Sequence, residues 1–112
     1  MAQIHPTSIV DPRAELADSV YVGPFCTIGP EVKIGDGCWF QSHIVVTGKT
    51  TIGSNNKFYA FAAVGIEPQD KKYKGEDTRL VIGDNNVIRE HCTLSVGTVQ
   101  DKGLTEVGSI NL

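Results

Sequence analysis

Counting in sixes from Ile4 lands on Ile4, Val10, Leu16, Val22, Ile28, Ile34, Phe40, Val46, Ile52, Phe58 and Val64, every one large and apolar. The chain is only 40% hydrophobic, so eleven such hits in succession are not composition at work. An internal period of this kind fixes the architecture before any helix or strand is assigned. Four places after each apolar residue the side chain is usually small or β-branched, as at Ser8, Ala14, Val20, Cys26, Val32, Cys38, Ile44, Thr50 and Ala62.

A helix repeats every 3.6 residues and a strand every 2, so a period of six fits neither. It suits a three-sided coil of short strands, each hexapeptide supplying one side and one turn. Three hexapeptides close an 18-residue coil, and the next coil stacks on it at about 4.8 Å through parallel β pairing. The large residue fills the interior and the small one the crowded corner. Gly23, Gly29, Gly35 and Gly53 follow the apolar residue and are expected to supply permissive turn backbone. The hand of the coil does not follow from its period, and general crossover rules favour right-handed connections.

The ladder breaks after Val64 and resumes at Ile82, Ile88 and Leu94, with Asn86, Cys92 and Thr98 in the small position. It breaks again over Val99 to Glu106 and restarts at Val107. The expectation is one domain over residues 1–112, with loops at about 65–81 and 99–106 projecting from the prism. Long insertions in a regular solenoid often carry function, because stacking does not need them. The chain stops at Leu112, the end of a complete hexapeptide, with no capping segment. Solenoid ends need covering, so a domain truncated at its C-terminal end is expected.

A net charge of −3 offers no basic field for nucleic acid, and no apolar run is long enough to span a bilayer. Met1 to Pro6 lacks the basic and apolar regions of a signal peptide, which points to the cytoplasm. Cys26, Cys38 and Cys92 all fall in the small inward position, where a thiol acts as a compact hydrophobe rather than as a nucleophile, disulfide partner or metal ligand. His5 is expected at the surface. His43 and His91 share the fourth place of their hexapeptides two coils apart, roughly 10 Å, too far for one metal ion within a subunit. No metal and no cofactor are expected.

The first interruption, Gly65 to Arg79, gathers carboxylates, lysines and an amide. Its composition suits a ligand rich in hydroxyls, or merely a solvated charged loop. Residue chemistry alone ends at a β-helical scaffold carrying a polar loop.

Several segments go further. His5-Pro6-Thr7-Ser8-Ile9-Val10, Gly23-Pro24-Phe25-Cys26 before Ile28-Gly29-Pro30, and Ser42-His43-Ile44-Val45-Val46 come first. The stretch Gln69-Asp70-x-Lys72-Tyr73-x-Gly75-Glu76-x-Thr78-Arg79 follows, then Ile82-Gly83-Asp84-x-Asn86, Ile88-Arg89-Glu90, and Gly97-Thr98-Val99-Gln100 before Gly103-Leu104-Thr105. In this order the chain closely resembles the acyl-carrier-protein–UDP-N-acetylglucosamine O-acyltransferases over essentially all 112 residues. The Gln69-Asp70-x-Lys72-Tyr73 loop is the most specific part.

The resemblance implies a left-handed parallel β-helix, all-β, and transfer of a 3-hydroxyacyl chain from acyl carrier protein to the 3-hydroxyl of UDP-N-acetylglucosamine, the first step of lipid A synthesis. In the family a histidine is the general base and backbone donors stabilise the oxyanion. Carried over, Asp70 would hold sugar hydroxyls, and Gln69 and Lys72 would contact the polar part of the substrate. A homotrimer with sites between subunits is implied. The family's histidine motif begins past Leu112, so no catalytic residue is expected within these 112 residues, which alone should be inactive. Ser95 and Val96 stand where the family usually carries His-Arg. Two other readings stay open: a different hexapeptide-repeat acyltransferase, and a non-catalytic β-helical scaffold.

Overall fold

The computed structural model describes residues 1–66 and 79–95, and the backbone of 104–107. Its strands fall into three parallel sheets of five. Sheet A contains β1 (Gln3–Ile4), β4 (Tyr21–Val22), β7 (Trp39–Phe40), β10 (Lys57–Phe58) and β13 (Val87–Ile88). Sheet B contains β2 (Ile9–Val10), β5 (Thr27–Ile28), β8 (Val45–Val46), β11 (Ala63–Ile66) and β14 (Thr93–Ser95). Sheet C contains β3 (Glu15–Leu16), β6 (Val32–Ile34), β9 (Lys49–Ile52), β12 (Arg79–Ile82) and β15 (Leu104–Val107). Each strand pairs with the third one along, so the chain visits A, B and C in turn and then climbs one coil.

The register is the sequence period made visible. Ile4, Val22, Phe40, Phe58 and Ile88 align across sheet A, and Val10, Ile28, Val46, Val64 and Leu94 across sheet B. Leu16, Ile34, Ile52, Ile82 and Val107 align across sheet C. Alternation within a strand sends these side chains inward and their neighbours outward. From Val22 to Val64 every six-step residue is buried, as are Cys26, Cys38, Ile44, Thr50, Asn56 and Ala62 in the small position. In the first coil Ile4 is 42% exposed, and Val10 and Leu16 are half-buried, because among the described residues they are covered from one side only.

Turn chemistry departs from the expectation. A Cβ on Gly23 would run into the backbone carbonyl of Gln41 in the next coil, so this glycine serves close stacking. Left-handed backbone falls two residues later. At the corner entering sheet A it is carried by Gly37 (φ 74°), Asn55 (59°) and Asn85 (61°), the residues that tolerate it. At the corner between A and B the same place holds Phe25 (60°), His43 (51°), Phe61 (65°) and His91 (63°). Left-handed backbone on a bulky residue costs on the order of 1 kcal/mol each, so that corner is built against turn preference.

Polar atoms inside the prism are tied across coils. Asn56 Nδ2 donates to Gly83 O (2.8 Å), and Asn56 Oδ1 accepts from the Asn86 backbone (2.8 Å). Thr50 Oγ1 instead bonds within its own coil, donating to Thr47 O (2.7 Å). No helix among the described residues is long and apolar enough to cross a membrane.

Candidate functional site

The corner between sheets B and C is where the solenoid departs from its period. Val64 and Ile82 stand 18 residues apart rather than six, and Leu94 and Val107 stand 13 apart. The chain leaves sheet B at Ile66 and enters sheet C at Arg79, then leaves again at Ser95 and enters at Leu104. Ile66 pairs with Ser95, and Arg79 with Leu104. Both departures and both returns are therefore neighbours, one coil apart, on a single edge of the prism. The strand bounds are tighter than the loops drawn from sequence: β11 extends to Ile66, β12 begins at Arg79 and β15 at Leu104. Gln69, Asp70 and Lys72, the expected substrate contacts, lie outside the described residues, as do the remainder of both expected loops and the end of the chain past Val107.

What the described residues fix is the mouth of this corner. Gly65 sits at φ 77° in the irregular stretch of β11 just before the departure. A Cβ there would collide with Thr47 O and Thr50 Oγ1, so the exit geometry demands glycine. On the return side Arg79 aligns with Lys49 on the neighbouring strand. Together with Lys33, Thr51 and Glu31 they line a shallow depression of about 390 Å³. Lys33 also reaches exposed Glu15 at 3.9 Å. This cationic side of the corner was missed from sequence; its only signal was that Lys49 and Arg79 flank an insertion while keeping strand register.

The histidines are elsewhere. His5 is exposed and shares a hydrogen bond with Thr7 Oγ1 (2.8 Å). His43 and His91 lie on the A–B corner, across sheet B from the departures, as the shared phase predicted. Their rings stack on either side of Phe61, at 5.0 and 5.4 Å, and Phe25 continues the column 5.1 Å from His43. Cys26 and Cys38 are buried and Cys92 is half-buried. Burial pushes the Cys26 and Cys38 thiols above their ordinary value, which makes them poor nucleophiles.

The described strands form three parallel sheets with no helix, and the fold is that of the left-handed hexapeptide-repeat β-helices. No family model matches the chain. A curated acyl-[acyl-carrier-protein]–UDP-N-acetylglucosamine O-acyltransferase of Saccharophagus degradans is 57% identical over all 112 residues, and the chain covers 43% of it. The Psychrobacter sp. protein of the same name is 51% identical, with equal coverage. LpxA from Acinetobacter baumannii superposes with a TM-score of 0.92 at 57% identity, over 95% of this chain and 41% of that one. A UDP-N-acetylglucosamine acyltransferase from Arabidopsis is 32% identical with a TM-score of 0.69, over 96% of this chain and 47% of that one. The chain is homologous to the N-terminal portion of the acyl-[acyl-carrier-protein]–UDP-N-acetylglucosamine O-acyltransferases and spans less than half of their length.

Proposed function

We propose that this chain supplies the front β-helical part of an enzyme that moves a 3-hydroxyacyl group from acyl carrier protein to the 3-hydroxyl of UDP-N-acetylglucosamine, opening lipid A synthesis. The observation that carries the reading is 57% identity over all 112 residues to a relative named for this reaction, of which the chain covers 43%, with the Gln69-Asp70-x-Lys72-Tyr73 segment in place. In this proposal Asp70 accepts hydrogen bonds from sugar hydroxyls, while Gln69 and Lys72 hold the polar part of the nucleotide sugar. The family's general base is not among these 112 residues. His5, His43 and His91 all belong to the A–B corner, away from the departures at Ile66 and Ser95, which agrees with that assignment. No cofactor enters the proposed reaction. The working enzyme is a cytoplasmic homotrimer, where a carrier-protein thioester and a nucleotide sugar can meet.

The test is a segment exchange. These 112 residues replace the matching segment of the S. degradans relative, and the purified chimera is given 3-hydroxyacyl carrier protein and UDP-N-acetylglucosamine. Acylated nucleotide sugar is expected. A folded chimera that turns over neither this pair nor its controls would overturn the proposal, and one that accepts only a different acyl acceptor would move it to another hexapeptide-repeat acyltransferase.

A further inference from the structure

We propose that the outward face of sheet C beside the B–C corner, built from Lys33, Lys49 and Arg79, is where the acyl donor docks, through a carboxylate-bearing helix of its carrier protein. The inference rests on the function proposed above and deepens it by assigning the donor a landing surface.

The first observation is the distribution of charge. Six Lys and Arg fall among the described residues. Arg13 is joined to Asp11 at 3.1 Å, Arg89 to Glu90 at 3.2 Å, and Lys57 lies on sheet A. The other three line one shallow depression on sheet C with Thr51 and Glu31, so three cations and one carboxylate give it a local charge of +2. The chain as a whole carries −3. A patch whose sign opposes that of the rest of the molecule steers a negative partner to one place.

The second is register. Lys33 aligns with Thr51 and Val81 in one outward row, and Lys49 with Arg79 in the row beside it. The three cations therefore stand on three successive coils, spanning about 10 Å along the stack. All three are exposed. A helix rises about 5.4 Å per turn, so carboxylates one and two turns apart meet these cations rung by rung. A small anion gains no such match, because the depression is shallow and its cations are carried on long side chains in solvent. The contact of Lys33 with exposed Glu15, at 3.9 Å, is of the weak kind that an incoming carboxylate displaces.

The third is position. Lys49 and Arg79 open β9 and β12 at the B–C corner. Arg79 is where the chain returns from the segment bearing Gln69, Asp70 and Lys72, proposed above to hold the nucleotide sugar. A donor seated on this face has its thioester beside the acceptor.

The S. degradans chimera tests this with 3-hydroxyacyl carrier protein as the probe. Lys33→Glu combined with Lys49→Glu should raise KM for the carrier-protein donor on the order of tenfold, with kcat and KM for UDP-N-acetylglucosamine unchanged. The parent's donor KM should climb with sodium chloride and the variant's much less, a difference that a merely structural role would not produce. An active parent whose donor KM is unmoved by the substitutions overturns the docking surface and leaves the function standing. A folded parent inactive with this pair overturns both. If the charge reversal does not fold, Lys33→Gln combined with Lys49→Gln takes its place, and an unchanged donor KM and salt response then overturns the surface.

Discussion

The rings of Phe40 and Phe58 lie 4.5 Å apart and 5° from parallel inside the prism, one coil above the other. Both are fully buried. Their stacking ties β7 to β10 in addition to backbone pairing, so Phe58→Ala opens a cavity between coils. A loss of about 3–5 kcal/mol is expected, read as a lower urea midpoint with the slope unchanged.

Asn56 and Asn86 are both completely buried, and the Asn56 side chain bonds Gly83 O and the Asn86 backbone. Among the described residues the Asn86 amide has no partner. Asn56→Ala strands two buried backbone groups, which should cost about 1–3 kcal/mol beyond the lost packing. A urea denaturation curve decides it: a midpoint unchanged from wild type would refute the role of Asn56 in tying the coils.

Gly65 and Gly29 make a second controlled pair. At Gly65 the left-handed φ and the collision with Thr47 and Thr50 both forbid a side chain, and alanine is expected to destabilise by about 1–3 kcal/mol. At Gly29 the nearest atoms to a new Cβ are 3.5 Å away, ordinary contact. Gly29→Ala should fall within about 1 kcal/mol of wild type in the same thermal melts.

Thiol chemistry should sort the cysteines by depth. Cys38 Sγ donates to Gly53 O (3.0 Å), and Cys26 is equally sealed, so a disulfide reagent at pH 8 should react first at half-buried Cys92. Cys26 and Cys38 should react only on unfolding. Because burial raises both thiols in the folded state, their contribution to stability is complete below the ordinary thiol value. It is lost as pH climbs through about 8.5 toward the folded value. Urea midpoints between pH 7 and 10 should decline over that upper range, and a Cys26→Ala, Cys38→Ala double variant should decline less.

Within the S. degradans chimera, Asp70→Ala should lower kcat/KM by on the order of 100-fold through lost sugar contacts, chiefly in KM for the nucleotide sugar. An unchanged KM for UDP-N-acetylglucosamine would remove Asp70 from the binding role.

The interior was readable from the sequence because each inward place is filled by a side chain whose burial is its only purpose. Val22, Phe40 and Phe58 announce themselves at every sixth step and align in sheet A. The strand starts after the interruptions were not readable. Leu80 places a large residue where the repeat expects a small one, and it is buried opposite Thr50. The aromatic column was hidden for another reason: rings at a left-handed corner contradict turn propensity, so only the backbone reveals Phe25 and Phe61 as one surface. Asp70 and its neighbours enter as binding candidates through family resemblance alone, since a charged loop has the same composition whether it binds a sugar or water.

Each rung of this solenoid closes a ring of chain: 18 residues from Ile34 to Ile52, but 30 from Ile52 to Ile82. The entropy of closing a flexible ring grows only with the logarithm of its length, so the longer closure adds about 0.5 kcal/mol. A prism that holds its register through such a detour can lengthen, shorten or replace the segment between Ile66 and Arg79 at almost no thermodynamic consequence to the stack. The stability of the stack is thereby uncoupled from the sequence of that one segment, and selection can rewrite the second without renegotiating the first.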